Sequence, residues 1–245
     1  MYRSPFFFDS WDELAISWSG GASRTFEMYR QHIWRIMSRG TIDTIYMVSY
    51  ASLFAIIFGL MIGVLMYVTK SGGIYPFPFI NRLLSTIVNV GRSIPFVILI
   101  ILIFPLSQFI VGTFIGRTAA IVPLTVAAIP FLSRVVESAL NDLGDGIIEA
   151  AIAAGATPLQ IVFRVLLPES APGLVAGFTL LVINLITFSA MAGLVGGGGL
   201  GAVANSYGLS RHRQDIVVYT VIIMIILVQI VQITGQSISR WLDKR

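Results

Sequence analysis

Few side chains in this sequence could carry catalytic or metal-binding chemistry. Cysteine is absent, and the two histidines, His32 and His212, have no second ligand at metal-binding spacing. The glycine run from Gly196 to Gly199 lacks the lysine and the strand-loop-helix setting of a phosphate-binding loop. The apolar runs contain no Ser-His pair, paired acids or His/Asp ligand set. We therefore predict that the chain is not an enzyme and holds no metal or cofactor of its own.

One charged segment, 145–168, interrupts this apolar chain and contains two helix boundaries. Asp145 is expected to cap a short helix over 146–154, and Gly155 suits the left-handed position that follows a helix. The sequence Thr-Pro-Leu-Gln at 157–160 then has a cap, a first-turn proline and the glutamine of a capping box. We predict two helices meeting at a sharp corner, which could dock on another protein. On capping and periodicity alone, a plain hairpin between two membrane spans explains the segment equally well.

The composition indicates what must position that corner. Hydrophobic residues make up 56% of the 245 residues and charged residues only 11%, against roughly 25% in a soluble domain. We therefore expect the chain to lie in a lipid bilayer. The formal net charge of +4 could indicate nucleic-acid binding in a soluble protein. Here the charges lie mostly outside the apolar runs, where they anchor interfaces and set topology, so no nucleic-acid partner is expected.

Five apolar runs are long enough to cross a bilayer, alone or with their flanks. They lie at about 44–69, 94–114, 118–138, 173–192 and 216–239. We predict an all-α membrane protein with five transmembrane helices. A short amphipathic piece at 80–90 precedes the second span, which is expected to kink or end near Pro105. The glycine-rich stretch 194–210 is expected to be an external segment.

Residues 1–40 and the orientation leave alternatives open. The first 40 residues mix aromatic and charged side chains, as expected of an amphipathic segment at the membrane surface or of a packed extension without its own function. When every loop is counted, the basic residues divide evenly between the two sides. Without this extension, eight basic residues lie in the loops on one side and three in the loops on the other. This asymmetry favours a cytoplasmic 145–168 segment and a cytoplasmic C-terminus.

The corner also carries a sequence resemblance. Glu149-Ala150-Ala151 is followed by Gly155 after three residues and by Val165-Leu-Leu-Pro168 after nine more. This spacing resembles the EAA loop of ABC importer permeases, with valine in place of the usual isoleucine. Further matching stretches at 91–100, 110–140, 155–175 and 189–201 make the region 41–245 similar to the methionine-uptake permeases. The first 40 residues lie outside the resemblance.

The resemblance implies a type I ABC importer permease that pairs with itself and docks its EAA loops on two cytosolic ABC ATPase subunits. ATP and Mg would bind to those partners, and an extracytoplasmic binding protein would deliver an amino acid to the bacterial inner membrane. The implied coupling residues are Glu149, Ala150, Ala151, Ala154, Gly155, Ala156, Thr157, Pro158 and Leu159. The implied translocation-pathway residues are Asn184, Thr187, Phe188, Ser189 and Met191. A gate or flexible loop would be formed by Gly196, Gly197, Gly198 and Gly199.

Other interpretations remain for the function and for these residues. Serine, threonine and asparagine in a span also serve ordinary helix packing, and the glycine run could be a simple turn. The importer could carry another small amino acid. An ion-coupled secondary transporter is the rival class, but four of the five spans lack ionisable groups in their charge-free runs.

Overall fold

The computed structural model describes residues 22–243, with the side chains from residue 32 onward except that of residue 145. All regular secondary structure in this range is helical, which confirms the all-α prediction. The first helices are α1 (Ala22–Thr69), α2 (Pro78–Ser93), α3 (Phe96–Val111), α4 (Arg117–Asn141) and α5 (Asp145–Ala153). There follow α6 (Pro158–Gln160), the π-helical turn π1 (Ile161–Leu166), α7 (Leu167–Glu169), α8 (Ala171–Leu194), α9 (Gly199–Val203), the second π-helical turn π2 (Ala204–Leu209) and α10 (Gln214–Leu242).

Four of the described helices are long and apolar enough to cross a membrane, namely α1, α4, α8 and α10. The helices α2 and α3 pass the same test only as a pair, which supplies a fifth span if it is counted as one. Helix α1 continues without a break through residue 40, where the sequence analysis placed a boundary. Residues 1–21 of the predicted extension lie outside the described range.

The second predicted span differs from its expected shape. The chain bends by 111° between α2 and α3, at Ile94 and Pro95, and Pro105 lies inside α3. The helix therefore does not end at Pro105, and that part of the prediction was wrong. Proline disfavours helical backbone in the residue before it, and Ile94 is accordingly extended, with φ −81° and ψ 123°. Pro105 removes one backbone donor but leaves the helix continuous as far as Val111.

The core lies where α1, α4 and α8 pack together. Its buried side chains include Met47 on α1, Leu132 and Val136 on α4, and Leu185 on α8. Helices α1 and α4 approach so closely that a Cβ atom added at Gly63 would lie 2.6 Å from the Ser133 carbonyl oxygen. Small residues therefore allow these backbones to meet, as is common between membrane helices.

The stretch 194–210 is also more ordered than a glycine-rich loop. It folds into α9 and π2 and packs back against α8. A Cβ atom added at Gly201 would lie 2.1 Å from the Ala190 carbonyl oxygen, and one added at Gly193 would lie 2.3 Å from the Ala202 nitrogen. These glycines are needed for close backbone approach, so the segment is a packed hairpin on the end of α8.

Candidate functional site

The corner has the local geometry that its sequence predicts. Gly155 follows α5 with φ +77°, and the Ala156 N–H donates to the Ala151 carbonyl oxygen at 3.1 Å. The Thr157 hydroxyl accepts from the Gln160 N–H at 3.4 Å, and the Gln160 side chain accepts from the Thr157 N–H at 2.9 Å. The left-handed glycine and the capping box are both confirmed. Helix α5 starts one residue earlier than predicted, because Gly144 and not Asp145 occupies the cap position and Asp145 is already helical.

The corner has an anchored face and a free face. Ile148, Ala151 and Ala156 pack against the core. On the other side Glu149 and Ile152 are exposed, Ile152 by 55%. The remaining predicted coupling residues are also exposed, namely Ala150, Ala154, Gly155, Thr157, Pro158 and Leu159. A short helix with an exposed apolar side chain in its last turn is thus presented on a fixed support.

The support is π1, which directly follows the corner. Its side chains Ile161, Val162 and Leu166 are buried in the core. Leu159, one turn earlier, is 71% exposed. The chain therefore passes within a few residues from a surface element to the interior, and this fixes the position of the corner relative to the spans.

Four of the five predicted pathway residues share one face of α8. Asn184, Thr187, Phe188 and Met191 follow the spacing i, i+3, i+4 and i+7, which places them on one side of a helix. Thr187 and Met191 are exposed, and Asn184 and Phe188 are partly buried. Ser189 is not part of this face: it is 1% exposed, and its hydroxyl donates to the Ile186 carbonyl oxygen at 2.7 Å.

Phe188 is held by a contact that the sequence did not reveal. Its ring stacks on that of Phe96 with a centroid distance of 4.5 Å and an interplanar angle of 8°. Phe96 is buried at the first turn of α3, directly after Pro95. The bend between α2 and α3 therefore places the aromatic ring that fixes one side of the α8 face.

The glycine hairpin, 196–199, and the adjoining first turn of α9 are held by two other parts of the chain. Gly196, Gly198 and Gly199 have positive φ values of 93°, 84° and 74°, which other residues rarely adopt. The Gly116 N–H donates to the Gly196 carbonyl oxygen at 2.8 Å. The Leu200 N–H, at the first turn of α9, donates to the buried Thr44 hydroxyl at 2.9 Å.

The same end of the molecule carries a charged contact between α1 and α4. Arg117 pairs with Asp43 at 2.7 Å, and its guanidinium lies 4.7 Å from the centre of the Tyr46 ring. Sequence reasoning missed Thr44, Asp43 and Gly116, because their partners are far away along the chain. The hairpin is thus tied to α1 and to the start of α4.

Both histidines are surface residues. His32 and His212 are both exposed, and His212 has a positive φ of 53° in a turn before α10. Within residues 22–243, no group of three His, Asp or Glu side chains could hold a metal ion.

These features define a class of protein: a helical membrane protein that presents a capped corner at one end of its spans. The family model described as "binding-protein-dependent transport system inner membrane component" matches residues 55–245. The chain belongs to this family of inner-membrane permease subunits of ABC importers.

Two curated relatives give the family finer detail. A protein from Vibrio cholerae named probable D-methionine transport system permease protein MetI is 47% identical over 210 residues, covering 86% of this chain and 93% of that protein. The D-methionine transport system permease protein MetI of Escherichia coli K12 is 49% identical over 158 residues, covering 64% of this chain and 73% of that protein.

Solved structures agree with the family. A chain of the MetNI methionine ABC transporter in an inward-facing conformation superposes with a TM-score of 0.85 at 44% identity, covering 86% of this chain and 98% of that one. An amino acid ABC transporter crystallised with histidines superposes with a TM-score of 0.67 at 19% identity and supports the fold alone. The type I ABC importer permease fold, predicted from the EAA resemblance, is confirmed.

Proposed function

We propose that this chain is the membrane-spanning subunit of a homodimeric, ATP-driven importer of methionine. The observation that carries the proposal is the 47% identity to a protein named as a probable D-methionine permease, across 86% of the chain. The solved MetNI methionine transporter supports it with the same fold at 44% identity. ATP and Mg would bind to two separate ATPase subunits, and an extracytoplasmic binding protein would deliver the amino acid.

In this proposal the corner couples the permease to an ATPase. The exposed Ile152 and Leu159 offer apolar contacts to a cleft, and the small Ala150 and Ala153 allow close approach along α5. The buried π1 residues resist displacement of the corner relative to the spans. A force applied at the corner would therefore reach the membrane helices.

The exposed face of α8 is the proposed wall of the pathway. An exposed stripe runs along the whole helix, from Gly173 through Leu180 and Thr187 to Met191 and Leu194. Five spans from one subunit are too few to enclose a path, so a second copy related by a two-fold axis would supply the opposite wall. The thioether of Met191 and the ring of Phe188 would form a soft, weakly polar surface suited to a thioether substrate.

The orientation in the proposal follows from the basic residues. The corner and the C-terminus face the cytoplasm, and the glycine hairpin faces the binding protein. Gly196, Gly197, Gly198 and Gly199 would then form the outer gate. Their ties to Thr44 and Gly116 would make the gate respond to shifts of α1 and α4.

Reconstitution tests this proposal directly. The chain is co-expressed with an ATPase and a binding protein from the same genome and assembled in proteoliposomes. In vesicles whose ATPase subunits face the lumen, we expect uptake of radiolabelled D- or L-methionine to require ATP enclosed in the lumen. Uptake of another amino acid with no competition by methionine would overturn the substrate, and uptake driven by an ion gradient without ATPase would overturn the class.

A further inference from the structure

Helix α2 has three distinct faces: an inner face buried against the protein, an exposed apolar face and a polar face. Val88 on the inner face is 2% exposed. A Cβ atom added at Gly91 would lie 2.8 Å from Cγ of Pro130, and the Asn81 side chain donates to the Met66 carbonyl oxygen at 2.6 Å. This face fixes the helix against α1 and α4.

The second face is apolar and exposed. Phe79, Leu83, Ile87 and Val90 follow helical spacing and are exposed by 75%, 51%, 57% and 57%. Four large apolar side chains in one stripe would not be left in water. A stripe of this kind marks contact with another protein or with a membrane.

The third face is basic and polar. Arg82 and Arg92 are both exposed, and neither forms an ion pair with an acidic side chain in the described range. Asn89 lies next to Arg82 on this face, and its side-chain oxygen accepts from the Arg134 guanidinium of α4 at 2.9 Å. Both arginines offer positive charge without an acidic partner in the described range: Arg82 lies beside the apolar stripe, at i, i+3 from Phe79, and Arg92 lies at the end of the helix, nearer the face of Val88.

The bend between α2 and α3 sets the orientation of these faces. Helix α3 carries no charged residue and packs along α4, a candidate span. Its 16 residues measure about 24 Å, and the extended Ile94 and Pro95 lengthen it toward the roughly 30 Å of a bilayer core. With α3 along the bilayer normal, the 111° bend places α2 within about 20° of the membrane plane.

We propose that α2 is an interfacial helix that binds anionic phospholipid in the leaflet next to the coupling corner. The apolar stripe inserts between acyl chains, and Arg82 and Arg92 bind the phosphate groups of the lipid headgroups. The adjacency of an apolar stripe and basic residues is the pattern of helices that lie on anionic membranes. The contacts of Asn81 and Gly91 with the spans would make lipid binding here stabilise the base of α1 and α4.

Spin labelling tests the position of the helix. The chain has no cysteine, so single-cysteine variants carry one label each. Ile87→Cys, Leu83→Cys and, as the polar-face control, Asn89→Cys are labelled in the assembled transporter in lipid nanodiscs. We expect the labels at 83 and 87 to be more accessible to oxygen than to a water-soluble nickel complex, and the label at 89 to show the reverse. Protection of 83 and 87 from both reagents would show that protein covers the stripe, and preferential nickel access at both would show that water does; either result overturns the proposal.

Lipid quenching tests the headgroup preference. A fluorophore at Ile87→Cys is quenched by brominated phosphatidylglycerol or by brominated phosphatidylcholine in mixed nanodiscs. We expect stronger quenching by the anionic lipid, with the apparent preference falling about fivefold for each of Arg82→Gln and Arg92→Gln. The control Arg211→Gln removes an exposed arginine at the opposite end of the molecule and should leave the preference unchanged. Equal quenching by the two lipids with both arginines present would refute the anionic site.

Discussion

Gly155→Val is the sharpest perturbation of the proposed coupling corner. Gly155 has φ +77°, and a Cβ atom added there would meet nothing within 4 Å. The penalty is therefore conformational rather than steric. Left-handed backbone costs an L-residue about 1–2 kcal/mol, and a β-branched side chain is disfavoured further. A destabilisation of this size lowers the ratio of the native corner to alternative conformations by roughly 5–30 fold.

The assay measures methionine uptake and ATP hydrolysis together in proteoliposomes. We expect Gly155→Val to insert and assemble normally and to lower uptake per ATP hydrolysed. Gly112→Val is the matched control, because Gly112 has φ +80°, equally open surroundings and a position at the far end of α3. Coupling in Gly155→Val equal to that of both the unmodified chain and Gly112→Val would refute the docking role of the corner.

Three further predictions concern contacts between the helices. Thr44→Val removes the hydroxyl that accepts the Leu200 N–H in a buried site, so thermal unfolding should show a loss of about 1–3 kcal/mol, whereas Thr44→Ser should keep most of the stability. Gly235→Ala would place a Cβ atom 1.9 Å from the Thr179 hydroxyl oxygen, so we expect about 1–3 kcal/mol of destabilisation by overpacking and a lower yield of folded protein in detergent. Arg117→Gln breaks a pair whose side chains are 48% and 31% exposed, so its effect on unfolding should stay below about 1 kcal/mol; a larger loss would mean that the contact with Tyr46 dominates.

The corner could be predicted from the sequence because its signals are local. A capping box joins residues three apart, and a left-handed glycine depends on its own backbone. Thr157, Gln160 and Gly155 therefore have their predicted conformations. The EAA spacing then identified the family, which no amount of capping alone could do.

The bend and the hairpin ties could not be predicted in the same way. Pro95 and Pro105 both lie in the second apolar run, and only packing decides which one ends a helix and which one is tolerated within it. The bond from Leu200 to Thr44 joins residues 156 positions apart. Ser189 is a different case: its position five residues after Asn184 is out of phase with the exposed face, so helical periodicity could have separated it from the pathway candidates.

The connection between the corner and α8 bears on how a docking event could move the proposed pathway. From Pro158 to Leu194 the backbone is helical apart from the turn at Ser170. That turn is braced, since the Ser170 hydroxyl donates to the Leu166 carbonyl oxygen at 2.7 Å and the Leu174 N–H donates to the Ser170 carbonyl oxygen at 2.9 Å. A loose linker would absorb a displacement of the corner. This segment is instead helical on both sides of a hydrogen-bonded turn. A shift of the corner should therefore tilt the base of α8, and the face with Asn184 and Met191 should move with it.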